Sequence, residues 1–401
     1  MDRNLWKRAG ILAVAIGLCS VATAQKPSAA NNKADIEKTA SGDSPVDPGP
    51  LATGLSPALK SKDIRAAMKK VNDWQLGYVG LSGSKEPRYN QQWTYAALYD
   101  GLLAYSKDTG DQSAHDAVLR MADKFDWQLL DTRFPHADDE ALGHAYLDLY
   151  AEKKDSVRLA ATRNVMDRLV ARPDVAKPVW WWCDALYMAP PTLIRMARIT
   201  GDHKYIDYMN HEWWDVTAPL LYNKDEKLYY RDDRFLDPAK QHEANGKPVF
   251  WSRGDGWVVA GLVNILEFMP KDDPARPRYE QQFKDMLNKI ASLQPADGLW
   301  RTGLLDAEAY KMPEISGSAF FTYAMAYGIN QGLLDRAKFE PVVRKSWAAM
   351  VGHIYADGRL GNIQPVGFAP DKFDPSSSYV YGVGAFLLAG TELDHMVSKH
   401  K

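Results

Sequence analysis

Helical periodicity recurs along the chain from residue 62 to residue 391, and this feature restricts the possible folds more than any other. Apolar residues return at the three- and four-residue spacing of an amphipathic helix. Strand-like alternation is limited to short pieces, 228–230 and 247–250. The helical pattern covers twelve segments: 62–74, 91–107, 111–127, 139–152, 156–171, 184–200, 203–219, 254–268, 276–293, 317–333, 338–354 and 380–391. The sequence therefore predicts an all-α protein.

A weak internal repeat indicates that these helices are paired. The segments 105–111 and 196–202 both end in Thr-Gly-Asp, where one helix stops and the next begins. Gly110 and Gly201 fit the left-handed position that closes a helix, and the aspartate after each can cap the following helix. Paired helices of this kind form either an open solenoid or a closed ring of inner and outer helices.

Two segments favour the closed ring. Residues 316–327 and 381–390 are rich in small residues and apolar on almost every side. This composition is typical of helices that are surrounded by protein. We therefore expect six hairpins in a ring, with these two segments among the inner helices.

The N-terminus has the composition of a secretory signal. Basic residues precede the apolar run 11–18, and small residues stand before Gln25. The run is too short to span a bilayer. We therefore expect residues 1–24 to be cleaved, the mature chain to have no membrane partner, and its location to be periplasmic.

The remaining chain divides into two parts. Residues 25–60 are rich in Pro, Ser, Ala and Gly and are predicted to form a flexible linker. The helical residues 61–395 are predicted to form one domain. Removal of the signal leaves Cys183 as the single cysteine, so the mature chain cannot form an internal disulfide.

Charge and motif content exclude several function classes. The chain has 49 Lys+Arg and 51 Asp+Glu, a net charge of −2, with no long basic run, whereas nucleic-acid binding needs concentrated positive charge. There is no His-Glu-x-x-His pattern, no dinucleotide-binding glycine pattern and no Walker loop. We expect no nucleic-acid partner, no cofactor and no metal; His136, Asp138 and His144 are the weak metal alternative.

Tryptophan is abundant where the predicted helices begin, and the chain has 13 Trp and 20 Tyr. Aromatic faces pack against the C–H faces of sugars, while the indole N–H can bond a hydroxyl. Trp93 and Trp182 are therefore candidates for substrate binding, although any one tryptophan taken alone could belong to the core.

Two aspartates are candidates for acid–base chemistry. Asp184 lies between three tryptophans and an apolar helix, where a partly desolvated carboxyl suits a general acid. Asp138 begins the run Asp-Asp-Glu-Ala-Leu-Gly-His. The alternative is a purely structural role: Asp184 as the N-cap of the helix near Ala185, and Asp138 as a favourable charge in a first turn.

An arginine is framed by two tryptophans. Arg253 lies between Trp251 and Trp257, and a guanidinium in such a frame suits bidentate binding of a carboxylate. The alternative is an ion pair with Asp255 or another buried acid. Arg231 lies in a long loop that could form the wall of a pocket.

Four motifs together resemble a known family. The segments 181–191 (WWCDALYMAPP), 250–257 (FWSRGDGW), 314–324 (EISGSAFFTYA) and 380–390 (VYGVGAFLLAG) are similar to those of the unsaturated rhamnogalacturonyl and glucuronyl hydrolases, glycoside hydrolase families 105 and 88. The resemblance covers about residues 60–395 in consistent order. It implies an (α/α)6 barrel, in agreement with the helix count.

The resemblance also implies an unusual hydrolysis. In this family the substrate has a 4,5-unsaturated uronic acid at its non-reducing end, left there by a polysaccharide lyase. An aspartate, matched here by Asp184, protonates the enol-ether double bond at C4, and water adds at C5. Asp138 matches the second aspartate, and Trp251, Arg253 and Trp257 match pocket residues.

One departure from the family concerns the leaving sugar. Some members have a His-Gly pair where this chain reads Tyr-Tyr-Arg-Asp at 229–232. Arg231 therefore becomes a second candidate for the substrate carboxylate, after Arg253.

The sequence thus predicts a secreted glycoside hydrolase that removes an unsaturated uronic acid from oligosaccharides of the pectin or rhamnogalacturonan type. One alternative is a conventional inverting glycosidase, with Asp184 as acid and Asp138 as base. A lyase or epimerase on a similar barrel is another. A non-catalytic oligosaccharide-binding protein is the alternative from a different class.

Overall fold

The computed structural model describes residues 42–78, 89–172 and 178–398. Its helices are α1 (Ser61–Tyr78), α2 (Trp93–Thr109), α3 (Gln112–Lys124), α4 (Ala137–Glu140), α5 (Gly143–Glu152), α6 (Ser156–Val170), α7 (Ala185–Met188), α8 (Pro190–Thr200), α9 (Lys204–His211), α10 (Ala218–Leu221), α11 (Ser252–Phe268), α12 (Arg276–Ser292), α13 (Ile315–Asn330), α14 (Arg336–Val351) and α15 (Val380–Ser398). A π-helix, Glu212–Thr217, joins α9 to α10, and a 3-10 turn spans Asp233–Phe235. Strands β1 (Tyr222–Asn223) and β2 (Leu228–Tyr229) form an antiparallel pair.

Six helices form a closed inner ring in which each contacts the next: α2, α5, α8, α11, α13 and α15, which returns to α2. An outer helix packs against each of them, in the order α3, α6, α9, α12, α14 and α1. This arrangement is an (α/α)6 barrel, so the predicted fold is confirmed.

Glycines allow the inner helices to approach one another closely. A Cβ on Gly384 of α15 would lie 2.0 Å from the carbonyl oxygen of Ala97 in α2, and a Cβ on Gly101 would lie 2.5 Å from the carbonyl oxygen of Gly384. Every residue of α13 from 315 to 329 is buried. The two small-residue segments of the sequence are therefore inner helices, as predicted.

The hairpin joints have the predicted conformation. Gly110 and Gly201 have φ angles of 78° and 71°, in the left-handed region that glycine adopts without strain. The side chains of Asp111 and Asp202 each accept a hydrogen bond at 3.0 Å from the amide two residues later. Each joint thus stops one helix and caps the next.

Two segments predicted as single helices are divided. The segment 139–152 becomes α4 and α5, and 184–200 becomes α7 and α8. In the second case the cause is Pro190, which has no N–H for the helical ladder. The divisions leave Asp138 in the one-turn helix α4 and Asp184 directly before the one-turn helix α7, each at the start of an inner helix.

The described part of the predicted linker, residues 42–60, lies against the domain. Backbone bridges join Asp43 to Ser378 and Leu51 to Tyr355. These contacts attach the segment to the loops around the last inner helix.

No helix among the described residues has the length and apolar character needed to cross a membrane. The predicted signal, residues 1–24, lies outside the described residues and stays a prediction.

Candidate active site

A cavity of 720 Å³ opens at the end of the barrel where the inner helices begin. Its walls are formed by Gln92, Trp93, Thr94, Arg133, Asp138, Trp182, Asp184, Met188, Arg231, Arg234 and the loop 364–372. Five of the predicted site residues are therefore brought together here: Trp93, Asp138, Trp182, Asp184 and Arg231. The other three, Trp251, Arg253 and Trp257, do not line the cavity.

Asp184 is a nearly buried carboxylate beside a cation. Its side chain makes no capping hydrogen bond to α7. The alternative in which the Asp184 side chain only caps this helix is therefore not supported. Its Oδ2 lies 3.2 Å from Nε of Arg231 and 3.5 Å from Sγ of Cys183. With a side chain 10% exposed, it faces the cavity while being largely shielded from bulk water.

Asp138 is a carboxyl group that can remain protonated near neutral pH. Burial raises its pKa to about 7, against the opposing attraction of the Arg133 guanidinium, and the negative charge of Asp184 adds to the rise. Arg133 Nη1 lies 3.5 Å from Asp138 Oδ2, while Arg133 Nε donates to Asp139 Oδ1 at 2.9 Å. Because Arg133 is shared with a second carboxylate, it does not hold Asp138 in the ionised form.

His136 beside this carboxyl is a neutral acceptor. Its Nδ1 accepts a hydrogen bond from the backbone amide of Asp138 at 3.3 Å, and its ring lies 4.8 Å from that of Trp182. Burial, with the nearby charge of Arg133, lowers the pKa of His136 to about 4. At neutral pH this imidazole therefore holds the start of α4 rather than supplying a proton.

Arg231 is fixed by a buried acid. Its Nη1 donates to Asp232 Oδ2 at 2.7 Å, and the same carboxylate accepts two further bonds from the guanidinium of Arg234, at 2.8 and 2.7 Å. The Asp232 side chain is completely buried. The backbone of Cys183 also donates to the carbonyl of Arg231 at 2.8 Å, so the loop after β2 is fastened beside Asp184.

Arg253 supports the cavity wall from behind. It is fully buried, and its guanidinium donates to the carbonyl oxygens of Gln364 at 2.7 Å and Pro365 at 2.8 Å. Its plane lies between the rings of Trp251, at 4.4 Å, and Tyr381, at 4.9 Å. Both Nη atoms are therefore used by the backbone of the loop 364–372, and this geometry favours the second candidate, Arg231, as the contact of a substrate carboxylate.

The four candidate tryptophans form two layers. Trp93 and Trp182 are at the cavity surface. Trp257 lies beneath Trp93 in an edge-to-face contact, with ring centroids 5.9 Å apart, and Trp251 donates from Nε1 to the Gln364 side chain at 2.8 Å. Trp251 and Trp257 thus support the lining instead of forming it.

Several lining residues were not found from the sequence. Arg133 precedes Asp138 by five residues, and a cation so close to a candidate acid was an available signal. Arg234 stacks on Phe368 at 4.4 Å, and Phe368 and Lys372 are exposed on the loop 364–372. The length of the segment between α14 and α15 was the only indication that this loop forms a wall.

Within the described ranges, no group of three or more His, Cys, Asp and Glu side chains is placed to hold a metal ion. Of the weak metal alternative, Asp138 lies at the cavity, whereas His144 is fully buried and bonded to Asp100 and to the Met188 carbonyl.

Comparison with known proteins gives a consistent result. Residues 65–397 match the model of Glycosyl Hydrolase Family 88. A protein of Formosa agariphila named "Unsaturated 3S-rhamnoglycuronyl hydrolase" is 39% identical over 351 residues, which are 84% of this chain and 91% of that protein. A protein of the same name from Alteromonas sp. is 31% identical over 372 residues, 85% of this chain and 89% of that protein.

Solved structures show the same relationship. "Glycosyl hydrolase family 88 from Bacteroides vulgatus" has a TM-score of 0.77 and 30% identity, covering 84% of this chain and 99% of that one. The unsaturated glucuronyl hydrolase of Streptococcus agalactiae has a TM-score of 0.59 at 16% identity, and at that identity the likeness concerns the fold alone.

Proposed function

The chain belongs to glycosyl hydrolase family 88, and from this premise we propose that Asp184 and Asp138 form its acid–base pair and that the sugar released from the unsaturated uronate is rhamnose. As a member of this family it is a glycoside hydrolase that acts on the unsaturated uronic acid oligosaccharides released by lyases. The name shared by the Formosa and Alteromonas relatives supports rhamnose as the leaving sugar.

One observation supports the acid–base pair above all others: two carboxyl groups on one cavity, one of which has its pKa raised to about 7 by burial. The negative charge of Asp184 adds to this rise, and we propose that the two groups share one proton. Such a pair retains a proton at neutral pH and also offers a carboxylate. Both an acid and a base are therefore available at the same wall.

Each carboxyl group of the pair acts once in the proposed reaction. Asp184 gives a proton to C4 of the enol-ether double bond, while Asp138 takes a proton from the water whose oxygen bonds to C5. The C4–C5 double bond becomes a single bond, and the resulting hemiketal opens to release the leaving sugar with its hydroxyl restored. The shared proton then lies on Asp138, where burial favours it, and returns to Asp184 for the next cycle.

Arg231 is proposed to bind the substrate carboxylate. It lines the cavity, its Nε lies 3.2 Å from the carboxylate of Asp184, and the buried Asp232 fixes its orientation. A substrate carboxylate at Arg231 would present the adjacent double bond to Asp184. Charge-assisted bonds of this kind orient as well as bind.

Asp184→Asn and Asp138→Asn test the pair. With oligosaccharides made by a lyase, each variant should lose turnover, measured as the decline of the ultraviolet absorbance of the double bond, while binding measured by calorimetry is retained. Asp184→Asn should be the more severe. Near-normal turnover in Asp184→Asn would refute its role, and turnover of saturated analogues would favour the conventional glycosidase.

Export is proposed from the sequence of residues 1–24. Mass spectrometry of periplasmic protein should find a chain that begins at Gln25. An intact Met1 on cytoplasmic material would contradict the proposal.

A further inference from the structure

The one-turn helices α4, which contains Asp138, and α7, which directly follows Asp184, have the same irregularity at their ends. In a regular helix the carbonyls of Glu140 and Met188 would accept from the amides four residues later. Instead, the amide of His144 donates to Ala141, at 3.2 Å, and that of Thr192 donates to Ala189, at 3.0 Å. The last carbonyls of α4 and α7 are thus released from the helical ladder, and both lie in the buried interior.

Each released carbonyl accepts a hydrogen bond from a side chain that follows the other one-turn helix. The hydroxyl of Thr192, at the start of α8, donates to the carbonyl of Glu140 at 2.9 Å. Nε2 of His144, at the start of α5, lies 2.9 Å from the carbonyl oxygen of Met188. The bonding residue is in each case the fourth after the released carbonyl of its own turn: His144 follows Glu140, and Thr192 follows Met188. The two turns therefore exchange hydrogen bonds reciprocally.

Surrounding residues fix both side chains. Nδ1 of His144 lies 3.0 Å from Asp100 Oδ2, and the hydroxyl of Tyr187 donates to the same oxygen at 2.6 Å. Because a carbonyl only accepts, Nε2 is the nitrogen that donates to Met188. Thr192 reaches α4 because position 143 is glycine, where a Cβ would lie 2.6 Å from Thr192 Cγ2.

We propose that His144 and Thr192 are positioning residues that fix the separation of the two carboxyl groups by locking α4 and α7 to each other. Asp138 is in α4 and Asp184 directly precedes α7. Movement of one turn relative to the other would therefore change the distance between the acid and the base. The inference rests on the proposed function of this pair.

These two reciprocal bonds, which we call the lock, affect the proton affinity of Asp138 as well as the geometry of the pair. Part of the proton affinity of Asp138 comes from the charge of Asp184, and this contribution weakens with distance. If the turns separate, the pKa of Asp138 falls, and the proton is lost at lower pH. A residue that only stabilises the fold would not shift the pH dependence of activity in this direction.

Thr192→Val is the direct test, because it keeps the shape and removes the hydroxyl. We expect kcat to fall about 10-fold with KM changed little, and the decline of kcat/KM at high pH to begin at lower pH than in the wild type. Thr192→Ser retains the hydroxyl and should restore both properties.

Thr322→Val is the matched control. This threonine is also fully buried in an inner helix. Its hydroxyl donates to the carbonyl of Ser318 in the same helix at 2.8 Å and lies 2.8 Å from Oγ of Ser346, so it makes no bond to α4 or α7. It should lower the free energy of unfolding while leaving kcat and the pH profile at wild-type values. Equal effects of Thr192→Val and Thr322→Val on kcat and on the profile would overturn the proposal.

If Thr192→Val does not fold, His144→Gln tests the reciprocal bond. This variant should lower kcat and shift the decline of kcat/KM at high pH to lower pH. An unchanged profile in this variant would overturn the lock. The outcome is separable from that of the proposed function: if Asp184→Asn and Asp138→Asn keep turnover, the acid–base pair itself is wrong, whereas their inactivity with a normal Thr192→Val refutes the lock alone.

Discussion

Replacing Arg253 with methionine is expected to weaken the wall of the cavity without changing which substrate charge the enzyme prefers. The guanidinium donates to the carbonyls of Gln364 and Pro365 and touches neither the cavity nor the two carboxyl groups. Methionine is long and flexible enough to remain between Trp251 and Tyr381. The change therefore removes the hydrogen bonds and retains most of the packing.

The expected loss of stability follows from those bonds. A hydrogen bond from a charged donor contributes about 1.5–3 kcal/mol. The Gln364 carbonyl keeps a second donor, the Tyr381 hydroxyl at 2.6 Å, so the cost at this carbonyl is at the lower end. We expect the free energy of unfolding to decrease by about 3–4 kcal/mol, measured by urea denaturation at pH 7.

The kinetic assay compares the unsaturated substrate with its neutral methyl ester. For Arg253→Met, kcat/KM should fall by a similar factor for acid and ester, because a displaced wall affects both. For Arg231→Met, the acid should lose roughly 10- to 100-fold more than the ester, because this residue is the proposed carboxylate contact. A loss confined to the acid in Arg253→Met, with the ester unaffected, would refute the reasoning and return Arg253 to the binding role that its sequence context suggested.

Three further predictions concern packing and pH. Gly384→Ala should destabilise the barrel by about 1–3 kcal/mol or more, because its Cβ would meet backbone of α2, whereas Gly77→Ala, at a helical site with open space, should be neutral or stabilising in the same denaturation assay. Burial raises the pKa of Glu140 to about 8, so the folded state binds this proton more tightly than the unfolded state does. The free energy of unfolding should therefore decline by about 3–5 kcal/mol as the pH rises from 4.5 to 8. Glu140→Gln should flatten that slope, and an unchanged slope would show that Glu140 is not its source. Burial raises the pKa of Asp138 to about 7, so the acid–base pair should lose its shared proton, and kcat/KM should decline, above about pH 7. A profile flat to pH 9 would show that this proton is not required.

The sequence by itself determined the architecture, because the information needed is local. The spacing of apolar residues fixes which face of each helix is buried, and Thr-Gly-Asp at 105–111 and 196–202 closes one helix and opens the next. Small residues in 316–327 and 381–390 distinguish inner from outer helices. Asp138, Asp184 and the neighbouring Trp182 could be selected because each lies where a helix was expected to begin.

Only the tertiary structure decided what the selected side chains do. Arg253 has the sequence context of a carboxylate-binding residue, yet its partners are carbonyls more than one hundred residues away in the chain, and no local pattern predicts which acceptors a long side chain will meet. The reciprocal bonding of Thr192 and His144 has the same origin, because each bond joins residues more than forty positions apart that become neighbours only when α5 and α8 pack together. Hydrogen bonds of this kind depend on the direction and separation of groups in space, and these are fixed by the packing of the helices rather than by their periodicity.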